Sequence, residues 1–426
     1  MAKVLIYAMN YSPEIAGVGR YTGEIGEHLA VAGHEVIVVT TPPHYPGWKL
    51  QGPYEPYRWT TERQGGQTII RCPLHLREKM GGLWRLIAPL SFAINSAPVV
   101  IWQILVKRPD VLLCIEPTLL GAPAALAAAR WVGATRVLHV QDLEIDASFA
   151  VGHLSRLGKL KFLALAFERA CLKRFDKVIT ISRKMADRLV AKGVEEERVE
   201  IVRNWVDIDR IRPLEAPSPY RRELGLAETD RVVLYSGNVG AKQGFDTVIA
   251  AAERLADRPE IQFIIAGEGP AKAKLQARAK TLPNLRFLPF QPYARLSSFL
   301  GLADVHILPQ SADAADLVLP SKLGGMLASG KPIVATAAQG TELAEFLAGA
   351  VVPPEDGDAL AAAIAAALEP GGEDAAVAQK ARLRLAGLLS RSDGLGVFER
   401  VATAGRREAL APPDLAVASD SRERVR

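Results

Sequence analysis

A glycine-rich loop with one lysine occupies residues 236–244, between a β-rich run and an amphipathic helical segment. Backbone N–H groups that glycine leaves accessible, together with an ammonium group, can hold a diphosphate. We therefore predict that Gly237, Asn238 and Lys242 bind a phosphorylated ligand, and that Lys242 also stabilises charge during catalysis. The G-K-[ST] ending of a nucleoside-triphosphate loop is missing, and simple solvation of the lysine is the alternative interpretation.

Segment 316–332, DLVLPSKLGGMLASGKP, gives the strongest local signal for an anion site. Pro320 and Ser321 are typical of a helix start, and Gly330 is typical of a helix end. First-turn N–H groups and the Ser321 hydroxyl would then face a phosphate, to which Lys322 would add a positive charge. We predict that Pro320, Ser321 and Lys322 contribute to a donor site.

Two further loops in the second half each follow a β-rich run. Gly267 and Glu268 belong to a Gly-Glu-Gly-Pro turn, which would line a ligand cleft or serve only as a tight turn. Phe290 offers a flat face to a base, and the backbone of the loop that holds Phe290 and Gln291 could meet the base edge-on, although a core position for Phe290 is equally compatible with the sequence. These four residues complete the predicted donor site.

Between the first β-rich run and the first helical segment lies a turn with two glycines. Glycine lets the backbone approach a ligand, and a helix N-terminus favours an anion. We predict an acceptor or phosphate site there, with an ordinary strand-to-helix turn as the alternative. Its residues are Gly17, Val18, Gly19 and Arg20.

Polar residues also end the β-rich run at 135–140. His139, Gln141 and Asp142 are expected at the end of a strand, where imidazole and carboxylate groups could orient a hydroxyl or stabilise charge. We name His139 and Asp142 as candidate catalytic residues, with a structural role for His139 as the alternative. Neither a Ser-His-Asp order nor an H-E-x-x-H motif occurs, which argues against hydrolase and metalloprotease classes.

These loops would be positioned by a strand–helix alternation that restarts after Pro213. Short apolar runs between amphipathic helices predict parallel sheets covered on both faces, and such sheets bind ligands beyond the carboxyl ends of their strands. We predict an α/β protein of two doubly wound, Rossmann-like domains facing across a cleft, 1–212 and 213–391, with a helix at 392–408 joining the first. The tail 411–426 is predicted to be disordered. The predicted strands are 4–8, 35–40, 69–72, 111–115, 135–140, 177–182, 232–236, 261–266, 285–287, 305–308 and 332–336.

The 426-residue chain carries 52 Lys and Arg against 47 Asp and Glu, and 49% of its residues are hydrophobic. This composition excludes a disordered, collagen-like or coiled-coil chain. The three cysteines lie far apart and show neither a disulfide framework nor metal-ligand spacing, so we expect a reducing compartment. No basic–aromatic or helix-turn-helix pattern indicates nucleic-acid binding.

Segment 86–106 contains no charged residue, and basic residues flank it on both sides. Proline, asparagine and glutamine inside it favour a buried or interfacial helical hairpin over a membrane-spanning helix. Its basic and apolar character suits an anionic membrane surface, with a solvated basic face around a core helix as the alternative.

The sequence resembles the GT-B glycosyltransferases of the large retaining family that includes glycogen synthase and bacterial mannosyltransferases. The resemblance covers nearly the whole chain and implies a GT-B fold, a nucleotide-sugar donor on the second domain, an acceptor on the first, and no metal or other cofactor. It rests on Gly17-Val18-Gly19, Gly33-His34-Glu35-Val36, Ile181-Ser182 with Met185, Asn204-Trp205-Val206-Asp207, Ser236-Gly237-Asn238 with Lys242-Gln243-Gly244, Gly267-Glu268-Gly269 and Leu327-Ala328-Ser329-Gly330-Lys331-Pro332.

A narrower resemblance is to the colanic-acid-type glycosyltransferases of exopolysaccharide synthesis. This resemblance implies a GDP-sugar donor, with fucose as the favoured sugar, and a lipid-diphosphate-linked saccharide acceptor. It also implies a cytoplasmic enzyme, peripheral on the inner face of the cell membrane. It is carried by residues 10–14, 21–24, 42–46, 138–142, 167–169 and 319–323.

The sequence departs from the broad family at three places. Leu317 and Gly325 stand where that family has two glutamates, Asn238 stands for its phosphate-loop arginine, and Gln141 for its catalytic histidine. The narrower group resembles this chain in the same departures. Because of these departures, one alternative is a non-catalytic subunit that binds a sugar nucleotide. Two further alternatives are a transferase that uses a UDP-sugar and a sugar-nucleotide epimerase.

Overall fold

The structure is a computed structural model that describes residues 1–14, 17–45, 48–55, 57–76, 84–116, 119–143, 158–240, 243–312, 319–347, 349, 351–369 and 375–410. The chain divides into two compact units. The first unit comprises residues 1–179, 193–198 and those from 395 onward, and the second comprises 180–192 and 199–394. The tail 411–426, for which we predict disorder, lies outside the described residues.

The first sheet has eight strands in the order β3-β4-β2-β1-β5-β6-β7-β8. Strand β1 pairs in parallel with β2 and β5, as the alternation of strands and helices predicts. Strands β3 and β8 were missed. Strand β3 is polar and mostly exposed, so it has no apolar pattern that predicts a strand. It pairs antiparallel with β4 through a tight hairpin turn at Gly65 and Gly66, whose φ angles are 57° and 79°. The strands are β1 (Lys3–Tyr7), β2 (Glu35–Thr40), β3 (Thr60–Gln64), β4 (Gln67–Arg71), β5 (Val111–Glu116), β6 (Thr135–Val140), β7 (Lys177–Thr180) and β8 (Val199–Ile201).

The second sheet has six strands in the order β11-β10-β9-β12-β13-β14, and these neighbours pair in parallel. Predicted and observed bounds agree within about two residues, and only the two-residue strand β14 was missed. The strands are β9 (Arg231–Ser236), β10 (Ile261–Ala266), β11 (Leu285–Leu288), β12 (Val305–Leu308), β13 (Ile333–Thr336) and β14 (Val351–Val352).

Both faces of the second sheet are covered by apolar packing, as near-continuous apolar strands require. On strand β9, Val233 and Tyr235 face one core cluster, whereas Val232 and Leu234 face the other. All six residues of β10 are buried as well. The central strands are therefore fixed on both sides, and only their carboxyl ends and loops are left to contact a ligand.

Local sequence explains several helix ends. The Ser182 hydroxyl accepts a hydrogen bond from the Met185 N–H at 3.0 Å, and Asp356 caps its helix in the same way. The helices are α1 (Gly17–Val31), α2 (Trp84–Lys107), α3 (Ala122–Val132), α4 (Gly158–Leu172), α5 (Arg183–Ala191), α6 (Tyr220–Glu223), α7 (Phe245–Arg254), α8 (Lys272–Arg278), α9 (Leu296–Leu300), α10 (Leu323–Ala328), α11 (Glu342–Phe346), α12 (Gly357–Leu368), α13 (Ala375–Gly387) and α14 (Arg391–Leu410).

The predicted helical hairpin in segment 86–106 is wrong, because α2 is one continuous helix of 24 residues that contains Pro89 and Pro98. Its inward residues recur every fourth position through both prolines, and each is fully buried. Packing along this stripe offsets the backbone hydrogen bonds that proline cannot make. The inward residues are Ala88, Phe92, Ser96, Val100 and Ile104.

Candidate functional site

Three predicted loops of the second unit meet at the carboxyl ends of adjacent strands. The register pairs Ala266 of β10 with Ser236 of β9 on one side and Leu288 of β11 on the other. Gly237 N–H donates to the Ala266 carbonyl at 2.9 Å, and Gly267 N–H donates to the Leu288 carbonyl at 3.1 Å. The strand order therefore brings the loops of Gly237, Gly267 and Phe290 to one edge, where parallel sheets bind ligands.

Gly267 permits the close approach of two of these loops. Its φ angle is +149°, and a Cβ atom added there would lie 1.8 Å from the Gly237 carbonyl oxygen. Any other residue would push the Gly237 loop away, so glycine is required here for packing as well as for conformation.

Lys322 reaches the Gly237 loop from the segment before α10. Its ammonium nitrogen donates a hydrogen bond to the Tyr235 hydroxyl and lies 4.4 Å from the centroid of the Tyr235 ring. A Cβ atom added at Gly237 would lie 3.0 Å from that nitrogen. Two motifs that the sequence separates by more than eighty residues thus meet, and the Lys322 ammonium group places a positive charge beside the Gly237 loop.

Burial changes the chemistry of this pair. Loss of hydration lowers the pKa of Lys322 to about 8, because the neighbouring groups do not replace water around the ammonium ion. Burial raises the pKa of the Tyr235 hydroxyl, which stays protonated and donates to the Asn238 carbonyl at 2.6 Å. The ammonium group is consequently held between an aromatic ring and a backbone loop, with a reduced hydration shell that an anion could complete.

The helix after Lys322 begins later than predicted. Hydrogen-bonded helix starts at Leu323, with Lys322 rather than Ser321 at the capping position and no side-chain cap. Pro320 precedes this turn and its carbonyl accepts from the Leu323 N–H at 2.9 Å, while Ser321 is exposed. The predicted helix start at Pro320 and Ser321 is therefore about two residues too early, because a single turn separates Pro320 from the helix proper.

Lys272 was missed by the sequence analysis. Its side chain connects the loop after β10 with the end of β11 by hydrogen bonds. Its ammonium group donates to the Gly267 carbonyl at 2.9 Å, to the Leu288 carbonyl at 3.2 Å and to the Glu268 carboxylate at 2.8 Å. A lysine at the start of a helix gives no sequence signal for such a role. Glu268, predicted as a donor ligand, here pairs with Lys272 on an exposed turn.

Phe290 and Gln291 lie on the same edge. Phe290 is 45% exposed, so the alternative core position is wrong and a flat aromatic face is accessible. Gln291 accepts a hydrogen bond from the Tyr220 hydroxyl at 2.9 Å and donates to the Pro289 carbonyl at 2.9 Å. These bonds fix the amide of Gln291 beside the aromatic ring.

Arg203 and Asn204 are further polar residues that the donor-site prediction omitted. They line a small cavity with Pro320 and Ser321, and the Arg203 Nε and Asn204 Oδ1 atoms are buried without a hydrogen-bond partner among the described residues. Glu342 accepts from the other end of the Arg203 guanidinium at 3.0 Å. The Asn-Trp-Val-Asp motif was the available signal, because it holds Asn204.

In the first unit, the buried carboxylate of Glu14 organises the predicted acceptor loop. It accepts from the backbone N–H groups of His44 and Tyr45, both at 3.0 Å. Added Cβ atoms would lie 2.3 Å from the Glu14 carboxylate at Gly19 and 2.9 Å from the Tyr45 ring at Gly17. Both glycines therefore allow the start of α1 to pack against these side chains, which the sequence analysis did not select.

The remaining residues of this loop are Val18 and Arg20. The Val18 carbonyl accepts from the Thr22 hydroxyl at 2.8 Å within the first turn of α1. Arg20 is partly exposed and pairs with Glu24 at 2.8 Å one turn further on. Arg20 is thus a cation at the start of α1, in reach of an anionic ligand but already engaged with a carboxylate.

His139 is placed where a structural role is favoured. The imidazole is fully buried, 5.0 Å from the ring of Phe398 of α14, and Gln141 Nε2 donates to its Nε2 atom at 3.2 Å. Burial lowers the pKa of His139 to about 3, so the ring is neutral at physiological pH. Its catalytic role stays a prediction that this burial does not favour.

Asp142 is exposed and lies close enough to Tyr45 for its charge to act on that hydroxyl. Burial, with the carboxylates of Glu14 and Asp142, raises the pKa of Tyr45. The predicted acceptor loop and the end of β6 thus belong to one polar surface of the first unit. Lys242, the third predicted catalytic residue, lies outside the described residues.

Comparison with known proteins finds matches to both halves of the chain. Residues 16–205 match the model of a glycosyl transferase 4-like domain, and residues 218–384 match that of glycosyl transferases group 1. The chain is 42% identical over 380 residues to the colanic acid biosynthesis glycosyl transferase WcaI of Escherichia coli K12, covering 86% of this chain and 92% of that protein.

Solved structures give the fold. Sucrose-phosphate synthase of Thermosynechococcus elongatus superposes with a TM-score of 0.71 at 18% identity, covering 95% of this chain and 99% of that one. Anabaena HepE, solved in complex with UDP and glucose, gives a TM-score of 0.66 at 15% identity, with 95% and 100% coverage. The predicted GT-B architecture is thereby confirmed.

Proposed function

This chain belongs to the glycosyltransferase family that combines a glycosyl transferase 4-like domain with a group 1 domain. We propose that it transfers a sugar from a nucleotide-diphosphate sugar to a lipid-linked saccharide during exopolysaccharide synthesis. A GDP-sugar is the favoured donor and fucose the favoured sugar. Family membership makes the chain a transferase enzyme, which argues against the non-catalytic subunit that the missing glutamates kept open.

The main support for a donor site on the second unit is the ammonium group of Lys322, which lies beside Gly237. A nucleoside diphosphate is released with two to three negative charges, and a poorly hydrated cation stabilises that charge most as it develops. Backbone N–H groups of the glycine loops would share the phosphate oxygens. In this proposal the lysines neutralise the leaving group, and no metal ion or other cofactor is required.

The aromatic face of Phe290 supports recognition of the base. It is exposed at the same sheet edge as Gly267, and the neighbouring Gln291 amide is oriented by Tyr220. A planar base stacked on this ring could also hydrogen-bond to the backbone of the β11 loop. Guanine and uracil present different hydrogen-bonding groups along their edges. The β11 loop would therefore help to select between a GDP-sugar and a UDP-sugar.

The polar surface of the first unit supports acceptor binding. The exposed Tyr45 packs at the glycine turn of Gly17 and is close to the exposed Asp142, and sugars are recognised through hydroxyls that bond to such groups. In our proposal Asp142 orients the attacking hydroxyl, and reaction on the same face of the donor retains its configuration. The enzyme would act from the cytoplasm, on the inner face of the cell membrane.

The name of the Escherichia coli relative supports glycosyl transfer in the synthesis of an exopolysaccharide. That protein is named for colanic acid biosynthesis, and 92% of its length is matched here. HepE was solved with UDP, and its likeness to this chain is one of fold. The polymer class is therefore supported by sequence identity, and the choice between GDP and UDP needs measurement.

Calorimetric titration of the purified chain with GDP and, separately, with UDP tests the donor. We expect tighter GDP binding, followed by transfer from GDP-fucose to a membrane lipid extract. Lys242→Ala should raise the transition-state free energy by roughly 2–4 kcal/mol, because one charge-assisted contact to the leaving diphosphate is lost. Unchanged turnover in Lys242→Ala would remove that residue from the site.

Other outcomes separate the alternatives. Preference for UDP would keep the transferase and overturn the GDP-fucose assignment. Epimer products formed from one donor without an acceptor would indicate the epimerase. Binding of neither nucleotide would contradict the proposed donor site.

A further inference from the structure

Helix α2 exposes an apolar stripe on its outer side. Every fourth residue from Leu90 to Val106 is apolar and exposed, directly opposite the buried stripe that packs into the first unit. Ile94 is 65% exposed and Trp102 is 64% exposed. The stripe consists of Leu90, Ile94, Pro98, Trp102 and Val106, with Leu105 beside it.

An exposed apolar line of this length costs free energy in water. At 1.5 Å per residue it runs for about 24 Å, and contiguous patches of this kind mark interaction surfaces. Helix α2 is also long and apolar enough to cross a membrane by length and composition. A helix with this exposed stripe could span a bilayer, lie on the surface of one, or bind another protein.

The inner side of α2 excludes spanning in this fold. Ser96 Oγ lies 2.6 Å from the Tyr7 hydroxyl of β1, and the rings of Phe92 and Tyr7 are 5.5 Å apart. Extracting α2 into a bilayer would break this hydrogen bond and expose β1 of the central sheet. The helix is thus fixed along one side, and only its outer side is available to a lipid surface.

Charge around the stripe favours lipid over protein. Lys107 and Arg108 are exposed directly after it, and no acidic residue occurs between Lys79 and Pro109. Helix α3 packs beside α2 and ends with exposed Arg130 and with Trp131, which is 85% exposed. Tryptophan next to basic residues is typical of the boundary between acyl chains and anionic headgroups.

We propose that the outer stripe of α2 inserts sideways into an anionic lipid surface, with Trp102 and Trp131 at the headgroup level and Lys107, Arg108 and Arg130 on the lipid phosphates. The helix would lie in the plane of the membrane. This inference deepens the proposed function, because it names the surface through which the enzyme would reach a lipid-linked acceptor.

Vesicle co-sedimentation of the full chain tests this surface. We expect binding to vesicles of phosphatidylcholine mixed with phosphatidylglycerol, weaker binding to phosphatidylcholine alone, and weakening by salt. Ile94→Asp with Trp102→Asp should lower the partition coefficient at least about tenfold, since two apolar side chains no longer enter the lipid. Val31→Asp, at an apolar residue of α1 that is 80% exposed, is the matched control and should bind like wild type.

Two readouts keep the result interpretable. The far-UV circular dichroism and melting temperature of the double variant should match those of wild type, which shows that the first unit is folded, and GDP or UDP binding by the second unit should be unchanged. The inference is overturned if wild type ignores both vesicles, if the double variant binds as well as wild type, or if the stripe instead mediates a dimer that the variant dissolves. Sugar transfer to a water-soluble acceptor in any of these cases would leave the proposed function standing.

Discussion

The ammonium group of Lys322 lies on the ring of Tyr235, 4.4 Å from its centroid, and donates to its hydroxyl. Tyr235 is the second-last residue of the central strand β9 and is fully buried, so its ring has a fixed position that holds the lysine beside Gly237. The pair supplies a positive charge at the loop where the sequence has Asn238 in place of an arginine.

Replacement of Lys322 should show how much its positive charge, as distinct from its packing on Tyr235, contributes to nucleotide affinity. Lys322→Met keeps the aliphatic chain on Tyr235 and removes the cation, so we expect nucleoside diphosphate affinity to fall about 10- to 100-fold, as for a lost hydrogen bond to a charged group. Calorimetry measures this change. Lys280→Met removes an exposed lysine of the same unit and is expected to bind like wild type.

The affinity of the donor site should depend on pH through Lys322. Burial lowers the pKa of this lysine to about 8, so below pH 8 it is charged and binds the diphosphate fully. Above pH 8 Lys322 must take up a proton before it can bind the diphosphate. The dissociation constant of the nucleoside diphosphate should therefore rise by up to about tenfold per pH unit. Titrations between about pH 7 and 9 measure the slope. Lys322→Arg stays charged across this range, and an equal slope in that variant would assign the effect to another group.

Gly267→Ala should damage the donor site without a change of charge. Because the added Cβ would overlap the Gly237 carbonyl at 1.8 Å, we expect the variant to be destabilised by about 2–4 kcal/mol and nucleotide affinity to drop at least tenfold. Chemical denaturation and calorimetry report the two effects.

Gly225→Ala is the matched control for Gly267→Ala. Gly225 also has a positive φ angle, +64°, but an added Cβ would meet no atom within 4 Å. We expect it to cost about 1 kcal/mol and to leave nucleotide binding intact. Equal behaviour of the two variants would show that backbone conformation, rather than loop contact, is what matters at Gly267.

Replacement of His139 should change the stability of the protein more than its catalytic rate. His139→Gln is expected to keep kcat within about tenfold, whereas loss of a general acid or base costs about 10²–10⁴. A larger loss in a variant that is folded by circular dichroism would restore the catalytic assignment.

The same histidine should contribute to acid sensitivity. The unfolded chain takes up its proton near pH 6.5, but burial lowers the pKa of His139 in the folded state to about 3. Between these values each pH unit of acidification therefore costs about 1.4 kcal/mol of stability. Melting temperatures of wild type and His139→Gln between pH 7 and 5 measure the difference, which isolates His139 from His306, also buried.

The sequence alone predicted the two α/β units and most of their strands, because apolar periodicity and glycine turns act over a few neighbouring residues. Strands β2, β6, β10 and β12 have the predicted bounds. The glycines at 237 and 267 were recognised for the same reason, since each directly follows a buried strand. The resemblance to GT-B glycosyltransferases came from the order of such short motifs.

Tertiary structure decided which side chains meet. Lys322 and Tyr235 are 87 positions apart, and Lys272 reaches Leu288 across two loops, because strand order and register set these neighbours. It also decided that His139 faces a helix from the far end of the chain, and that α2 has one buried and one exposed apolar side. Periodicity could not distinguish those sides, since both are apolar, and the packing of β1 against α2 selects the side that is buried.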